Sequence, residues 1–153
     1  MVEEHWDLPD EDATRELGSR LADALDGGLV IYLRGELGAG KTSFARALLT
    51  ALGVGERIKS PTYSLVEGYR NQAGRPAWHL DLYRIADPGE LEWLGLDALA
   101  DPAAVVLVEW PERGQGALPA PDVEVQLAYR GAGRRARLQS KTARGEQALS
   151  RLA

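Results

Sequence analysis

The sequence predicts an α/β fold: three layers around a mixed, mostly parallel sheet, with an antiparallel hairpin inserted into it. Two observations carry this expectation. Leu29–Leu33 and Val105–Val108 are unbroken apolar runs, which suit strands covered on both faces better than strands with one wet face. Around them, segments with apolar residues at helical spacing end at glycines, so strand, loop and helix follow one another. The 153 residues suffice for one real core, and no repeat, low-complexity tract or linker divides them. A single domain spanning residues 1–153 is expected.

Taken in order, Val2–Leu8 reads as a short strand. Asp10 is placed as a helix N-cap, followed by Ala13, Leu17, Leu21, Ala24 and Leu25 on one face, with Gly27-Gly28 as the stop. After the strand Leu29–Leu33 and a glycine-rich loop, Phe44, Ala47, Leu48, Ala51 and Leu52 mark a second helix that ends at Gly53. Tyr63–Tyr69 and Pro76–Tyr83 flank a turn at Asn71-Gln72-Ala73-Gly74 and form the expected hairpin. Asp87-Pro88-Gly89-Glu90 reads as a helix start, with Asp as cap and Pro at the first helical position. Val105–Val108, Val123–Tyr129 and Arg135–Gln139 are later strands, and Thr142–Leu152 is a closing helix.

Composition narrows the function classes. No run reaches the roughly 18–20 apolar residues of a membrane span, and the acidic start Met1–Asp7 lacks the apolar stretch of a signal peptide. A cytoplasmic protein without membrane contact is expected. The absence of cysteine removes disulfides, thiolate chemistry and Cys-based zinc sites. The two histidines, His5 and His79, do not make a metal site by themselves, and a hydrogen-bonded structural role suits His79. Charge is uneven. Residues 130–144 carry Arg130, Arg134, Arg135, Arg137, Lys141 and Arg144 without an acid, on a chain whose net charge is −5. Such a stretch suits phosphate or RNA, or is a solvated strand face leading into a helix.

Gly35-Glu36-Leu37-Gly38-Ala39-Gly40-Lys41-Thr42 matches the phosphate-binding pattern G-x4-G-K-[ST], between a buried strand and an amphipathic helix. Each residue type has a task. The glycines allow backbone angles that turn successive N–H groups inward around an anion. The following helix adds its positive end, Lys41 a full charge for the outer phosphates, and Thr42 a hydroxyl for Mg2+. Gly38, Ala39, Gly40, Lys41, Thr42 and Ser43 are therefore nucleotide-binding candidates. The expected architecture is the three-layer P-loop NTPase fold.

A second acid must hold the metal, and Glu109 closes the buried run Val105–Val108 where such an acid belongs. It reads either as that ligand or as an acid capping a strand at the surface. Asp81 follows the apolar strand in Trp78-His79-Leu80-Asp81 and either orients water or pairs with Arg84. Thr62, in Ser60-Pro61-Thr62-Tyr63, is a switch candidate or a turn residue. Trp110 either stacks on the site or belongs to the core. A GTPase is unlike this chain: its one asparagine, Asn71, is followed by Gln72, and no Asp-x-x-Gly occurs. An ATPase, a small-molecule kinase with residues 130–144 as a lid, and a nucleotide-gated interaction protein remain.

Several segments together resemble the bacterial TsaE (YjeE) family. They are Leu8-Pro9-Asp10-Glu11 with Ala13-Thr14, the loop Gly35–Thr42, and Lys59-Ser60-Pro61-Thr62-Tyr63-Ser64-Leu65-Val66-Glu67. Further on stand Leu80-Asp81-Leu82-Tyr83-Arg84, Glu90-Leu91-Glu92, Gly95, Leu107-Val108-Glu109-Trp110-Pro111-Glu112 and Gly133-Arg134. The resemblance implies a P-loop ATPase of tRNA threonylcarbamoyladenosine synthesis, binding ATP and Mg2+. It implies that Thr42 and Glu109 hold the metal and that Asp10, Glu11 and Thr14 contact the adenine end. Arg134 would reach the nucleotide, while Thr62 and Asp81 become switch and catalytic candidates beside Lys41. The implied partners are the TsaD and TsaB proteins, which with TsaC act on adenosine 37 of tRNAs reading codons that begin with A. In that scheme this chain hydrolyses ATP and resets the complex. Arg134-Arg135-Ala136-Arg137 and the turn Asn71–Pro76 find no residue-by-residue match, so direct tRNA contact by residues 130–144 is left open.

Overall fold

Alternation along two central strands shows how the sheet is covered. In the computed structural model, which describes residues 2–54, 66–71, 74–85, 89 and 96–152, Leu29–Arg34 forms β2 and Val105–Glu109 forms β5. Leu29, Ile31 and Leu33 of β2 join Val105 and Leu107 of β5 in a large core on one face. Val30 joins Val106 and Val108 in a smaller core on the other. Both runs are thus buried on both sides, as their unbroken apolar character demands.

The remaining strands are β1 (Glu3–Leu8), β3 (Val66–Arg70), β4 (Pro76–Asp81), β6 (Val123–Arg130) and β7 (Gly133–Ser140). They form one sheet in the order β1-β7-β6-β2-β5-β4-β3. The central strands β6, β2, β5 and β4 are mutually parallel, while β1·β7, β6·β7 and β3·β4 are antiparallel. Five of the seven described strands therefore run one way, and β3–β4 is the expected hairpin, with Val66 opposite Leu80. Its turn is closed by Gly74, at φ +82°, whose N–H donates to the Asn71 carbonyl.

Among the described residues three helices, α1 (Glu11–Asp23), α2 (Lys41–Ala51) and α3 (Ala143–Leu152), all pack on the larger core. Asp10 caps α1 by accepting from the Ala13 N–H at 2.8 Å. Thr142 does the same for α3 toward Gly145, at 3.1 Å. Among the described residues the opposite face is covered by 3-10 turns at Leu96–Ala100 and Pro111–Gly114 and by loops, so the outer layers are unequal.

Some boundaries differ from expectation. β4 stops at Asp81 rather than Tyr83, because the Asp81 carboxylate accepts the Tyr83 N–H and folds the chain into a turn. β7 extends beyond Arg135–Gln139 at both ends because β1 and β6 flank it. Its Arg135 and Arg137 are exposed while Ala136 and Leu138 are buried, a strand with one wet face. Residues 63–65 and the helix start at Asp87-Pro88-Gly89-Glu90, apart from Gly89, lie outside the described residues.

Candidate active site

The C-terminal ends of the parallel strands β2, β5 and β4 lie side by side, the usual place for a ligand in an open α/β sheet. The phosphate loop leaves β2 there. Gly35, Gly38 and Gly40 adopt φ of +148°, +82° and +104°, open to glycine and strained for other residues. Space is equally restrictive. A Cβ on Gly35 would stand 2.4 Å from the Leu127 carbonyl oxygen, and one on Gly38 2.7 Å from the Tyr129 hydroxyl. Gly40 begins α2 with no side-chain cap and no acid in the first turn. The leading N–H groups of α2 are thus left for an anion.

Lys41 is 5% exposed, and its ammonium donates to the carbonyls of Gly35 and, at 3.2 Å, Glu36. It also sits 4.1 Å from the centre of the Trp110 ring. Burial lowers its pKa, against the opposing pull of Glu109, Asp81 and Glu112. Trp110 holds a left-handed backbone, φ +59°, uncommon for a bulky residue, and meets Tyr83 at 5.1 Å between ring centres. It serves both roles open to it, packing against the smaller core and facing the site lysine.

Glu109 is 2% exposed, which removes the reading of a surface cap. The Thr42 hydroxyl lies 2.9 Å from its Oε1 and 3.2 Å from its Oε2. Asp81 stands beside Glu109 in the parallel register. It accepts the Tyr83 N–H at 3.1 Å, and among the described residues it makes no pair with Arg84. Burial and the neighbouring Glu109 carboxylate raise the Asp81 pKa, while Tyr83 N–H, His79 and Lys41 work against that rise. Leu37, Gly38, Lys41, Thr42, Asp81 and Glu109 line a cleft of about 240 Å³ that Tyr83 and Trp110 also border.

A second cleft of about 300 Å³ lies on the other side of the loop and shares Gly38, Gly40 and Ser43 with the first. Asp10, Glu11, Thr14 and Arg134 line it with Leu8 and Ala39. Thr14 is buried, and the Ser43 hydroxyl donates to Glu11 at 3.1 Å. Arg134 donates to the Gly38 carbonyl at 3.3 Å and lies 4.1 Å from the Tyr129 ring centre. Every candidate except Thr62, which lies outside the described residues, thus faces one of two clefts joined across the loop.

Tyr129 went unnoticed in the sequence, as did the identity of the partner of His79. Tyr129 donates to the Leu37 carbonyl at 2.9 Å and supports Arg134. His79 was assigned a structural hydrogen bond, and its partner at 2.6 Å is Glu109 itself. Both effects depend on which strands are neighbours, a matter that linear spacing does not encode. The basic stretch runs from the last residue of β6 through β7 to the start of α3. Arg130 pairs with Asp7, Arg137 with Glu3, Lys141 with Glu124 and Arg144 with Asp122. Of its cations, Arg134 lines the second cleft and none lines the first.

Hard oxygen donors from Thr42 and Glu109 beside an anion-binding loop fit Mg2+. Among the described residues no group of three His, Cys, Asp or Glu forms an all-protein metal cage.

A glycine loop between a buried parallel strand and a helix that opens on Lys-Thr defines a P-loop-type nucleotide-binding protein. Residues 8–137 match the family model described as "Threonylcarbamoyl adenosine biosynthesis protein TsaE". The chain is 40% identical over 148 residues to the tRNA threonylcarbamoyladenosine biosynthesis protein TsaE of Haemophilus influenzae, covering 94% of this chain and 93% of that one. With the protein of the same name from Bacillus subtilis it shares 33% identity, over 86% of this chain and 81% of that one. The crystal structure of Bacillus subtilus YdiB superposes with a TM-score of 0.82 at 26% identity, over 99% of this chain and 94% of that one. The chain belongs to the TsaE family, which is involved in tRNA threonylcarbamoyladenosine biosynthesis.

Proposed function

We propose that the chain is a Mg2+-dependent ATPase of the cytoplasm, working with TsaD and TsaB proteins in threonylcarbamoylation of adenosine 37 in tRNAs reading ANN codons. It resets that assembly and leaves the chemistry on tRNA to its partners. The observation that carries this reading is the pair of clefts joined across the phosphate loop, one lined by Thr42, Asp81 and Glu109 and the other by Glu11, Thr14 and Arg134.

Each residue then has a task. The second cleft takes the adenine end, with Asp10, Glu11 and Thr14 on one wall and Arg134 on the other. The loop N–H groups of Gly38–Ser43 hold the phosphates, and Lys41 turns from its own loop carbonyls to the outer phosphate oxygens. Thr42 and Glu109 hold Mg2+, which when bound neutralises charge on the transferring phosphoryl group. Asp81 orients the attacking water, its raised pKa bringing it nearer to the range of a working base. The pairing of the basic stretch with acids of β1 and β6, rather than a mobile lid, favours hydrolysis over transfer to a small acceptor.

The test is phosphate release from ATP with and without the partner pair, and no acceptor present. Free phosphate, increased by TsaD and TsaB, is expected. Phosphate found only on an added small molecule would overturn the reading.

A further inference from the structure

The Glu109 side chain has a second neighbour that the ATPase reading does not use. His79 lies on β4 two residues before Asp81, is fully buried, and its Nε2 stands 2.6 Å from Glu109 Oε2. Its other nitrogen, Nδ1, is also buried and has no hydrogen-bond partner among the described residues. An ionised carboxylate only accepts, so it is the Nε2–H that donates to Glu109.

We propose that His79 is a positioning residue for Mg2+, which locks the Glu109 carboxylate so that Oε1 is presented to Thr42. This rests on the Mg2+–nucleotide reading above. The register fixes the backbone of Glu109, with Leu33 and Asp81 opposite it, but leaves the rotatable bonds of its side chain free. Three contacts then define the carboxylate: His79 on Oε2, and Thr42 at 2.9 Å from Oε1 and 3.2 Å from Oε2. Of these, only the imidazole holds the acid from the protein interior. With 0% exposure it is shut off from solvent, and the side chain it hydrogen-bonds among the described residues is Glu109. A partner that orients a metal-binding carboxylate is commonly worth about 10–100-fold in metal affinity.

The test is calorimetric titration of ADP into the full chain, in EDTA and across a Mg2+ series. For His79→Leu, the Mg2+ concentration giving half its effect on ADP affinity should rise about tenfold, while ADP affinity in EDTA stays within about twofold. His79→Gln, whose amide can donate to the same oxygen, should recover most of the loss. Should H79L fail to fold, His79→Asn takes its place, since its shorter amide falls short of Glu109. An unchanged Mg2+ midpoint in a folded H79L or H79N would overturn the proposal, as would an equal loss of ADP affinity in EDTA. Absence of any Mg2+ effect in the wild type would instead overturn the Mg2+ reading on which it stands.

Discussion

The Thr42 hydroxyl donates to the Glu109 carboxylate at 2.9 Å, across 67 positions of sequence. It does so because β2 and β5 are parallel neighbours, with Leu33 opposite Glu109, so the loop leaving β2 turns back over the end of β5. An acid that caps a strand in the sequence becomes, in the fold, the buried base of a phosphate site.

Substituting Glu109→Gln tests this directly. The amide keeps nearly the same shape but loses the charge that holds a divalent cation. ATP turnover in Mg2+ should fall by about a hundredfold, while ADP affinity in EDTA changes by no more than about twofold. Steady-state phosphate release and calorimetry separate the two. Equal losses would mark Glu109 as a structural acid.

Lys41→Ala should abolish ATP hydrolysis and leave the fold in place. Its ammonium satisfies the carbonyls of Gly35 and Glu36 within the loop and faces the Trp110 ring just beyond the end of β5. Nucleotide affinity should drop at least about tenfold, since the charge for the outer phosphates is gone. Circular dichroism should be unchanged. Wild-type turnover in this variant would refute the assignment.

Arg134→Ala addresses the other cleft. Arg134 bridges the Gly38 carbonyl and the Tyr129 ring, so its loss should weaken ATP and ADP alike, by about tenfold or ~1.4 kcal/mol. The Mg2+ midpoint should not move, because Thr42 and Glu109 lie on the far side of the loop. A shift in that midpoint would show that the clefts are not separate in function.

The sequence was most legible where one residue type has one physical use. The loop glycines, the apolar runs of β2 and β5, and the cap Asp10 all announce themselves locally, and the structure places them accordingly. The part played by Tyr129 and the identity of the partner of His79 were illegible for a common reason. Each depends on strand order, and nothing in a run such as Val123–Arg130 states that it will lie beside β2 and under the loop. The end of β4 was missed because Asp81 competes for a backbone N–H two residues on, a side-chain effect that apolar patterning does not register.

Asp122 ties the far end of the fold together and sets a pH dependence. Burial pushes its carboxyl pKa up, but Arg144, the Val30 N–H and the Thr142 hydroxyl, at 2.7, 2.8 and 2.7 Å, together hold it below the ordinary value. A depressed folded pKa means that the ionised group adds stability at any pH above the unfolded carboxyl's value, about 3.9, and loses it as pH falls through the lower folded value. Asp122→Asn can keep an oxygen toward Val30 and Arg144 and turn its amide on Thr142, so it removes mainly the charge. Arg144 is partly exposed and its attraction partly screened, so the cost at pH 7 should be modest, about 1–2 kcal/mol. Urea unfolding of wild type and D122N at pH 7 and pH 3 should show the gap narrowing on acidification, as the wild-type carboxyl takes up its proton. A gap of equal size at both values would mean that shape, not charge, is what Asp122 contributes.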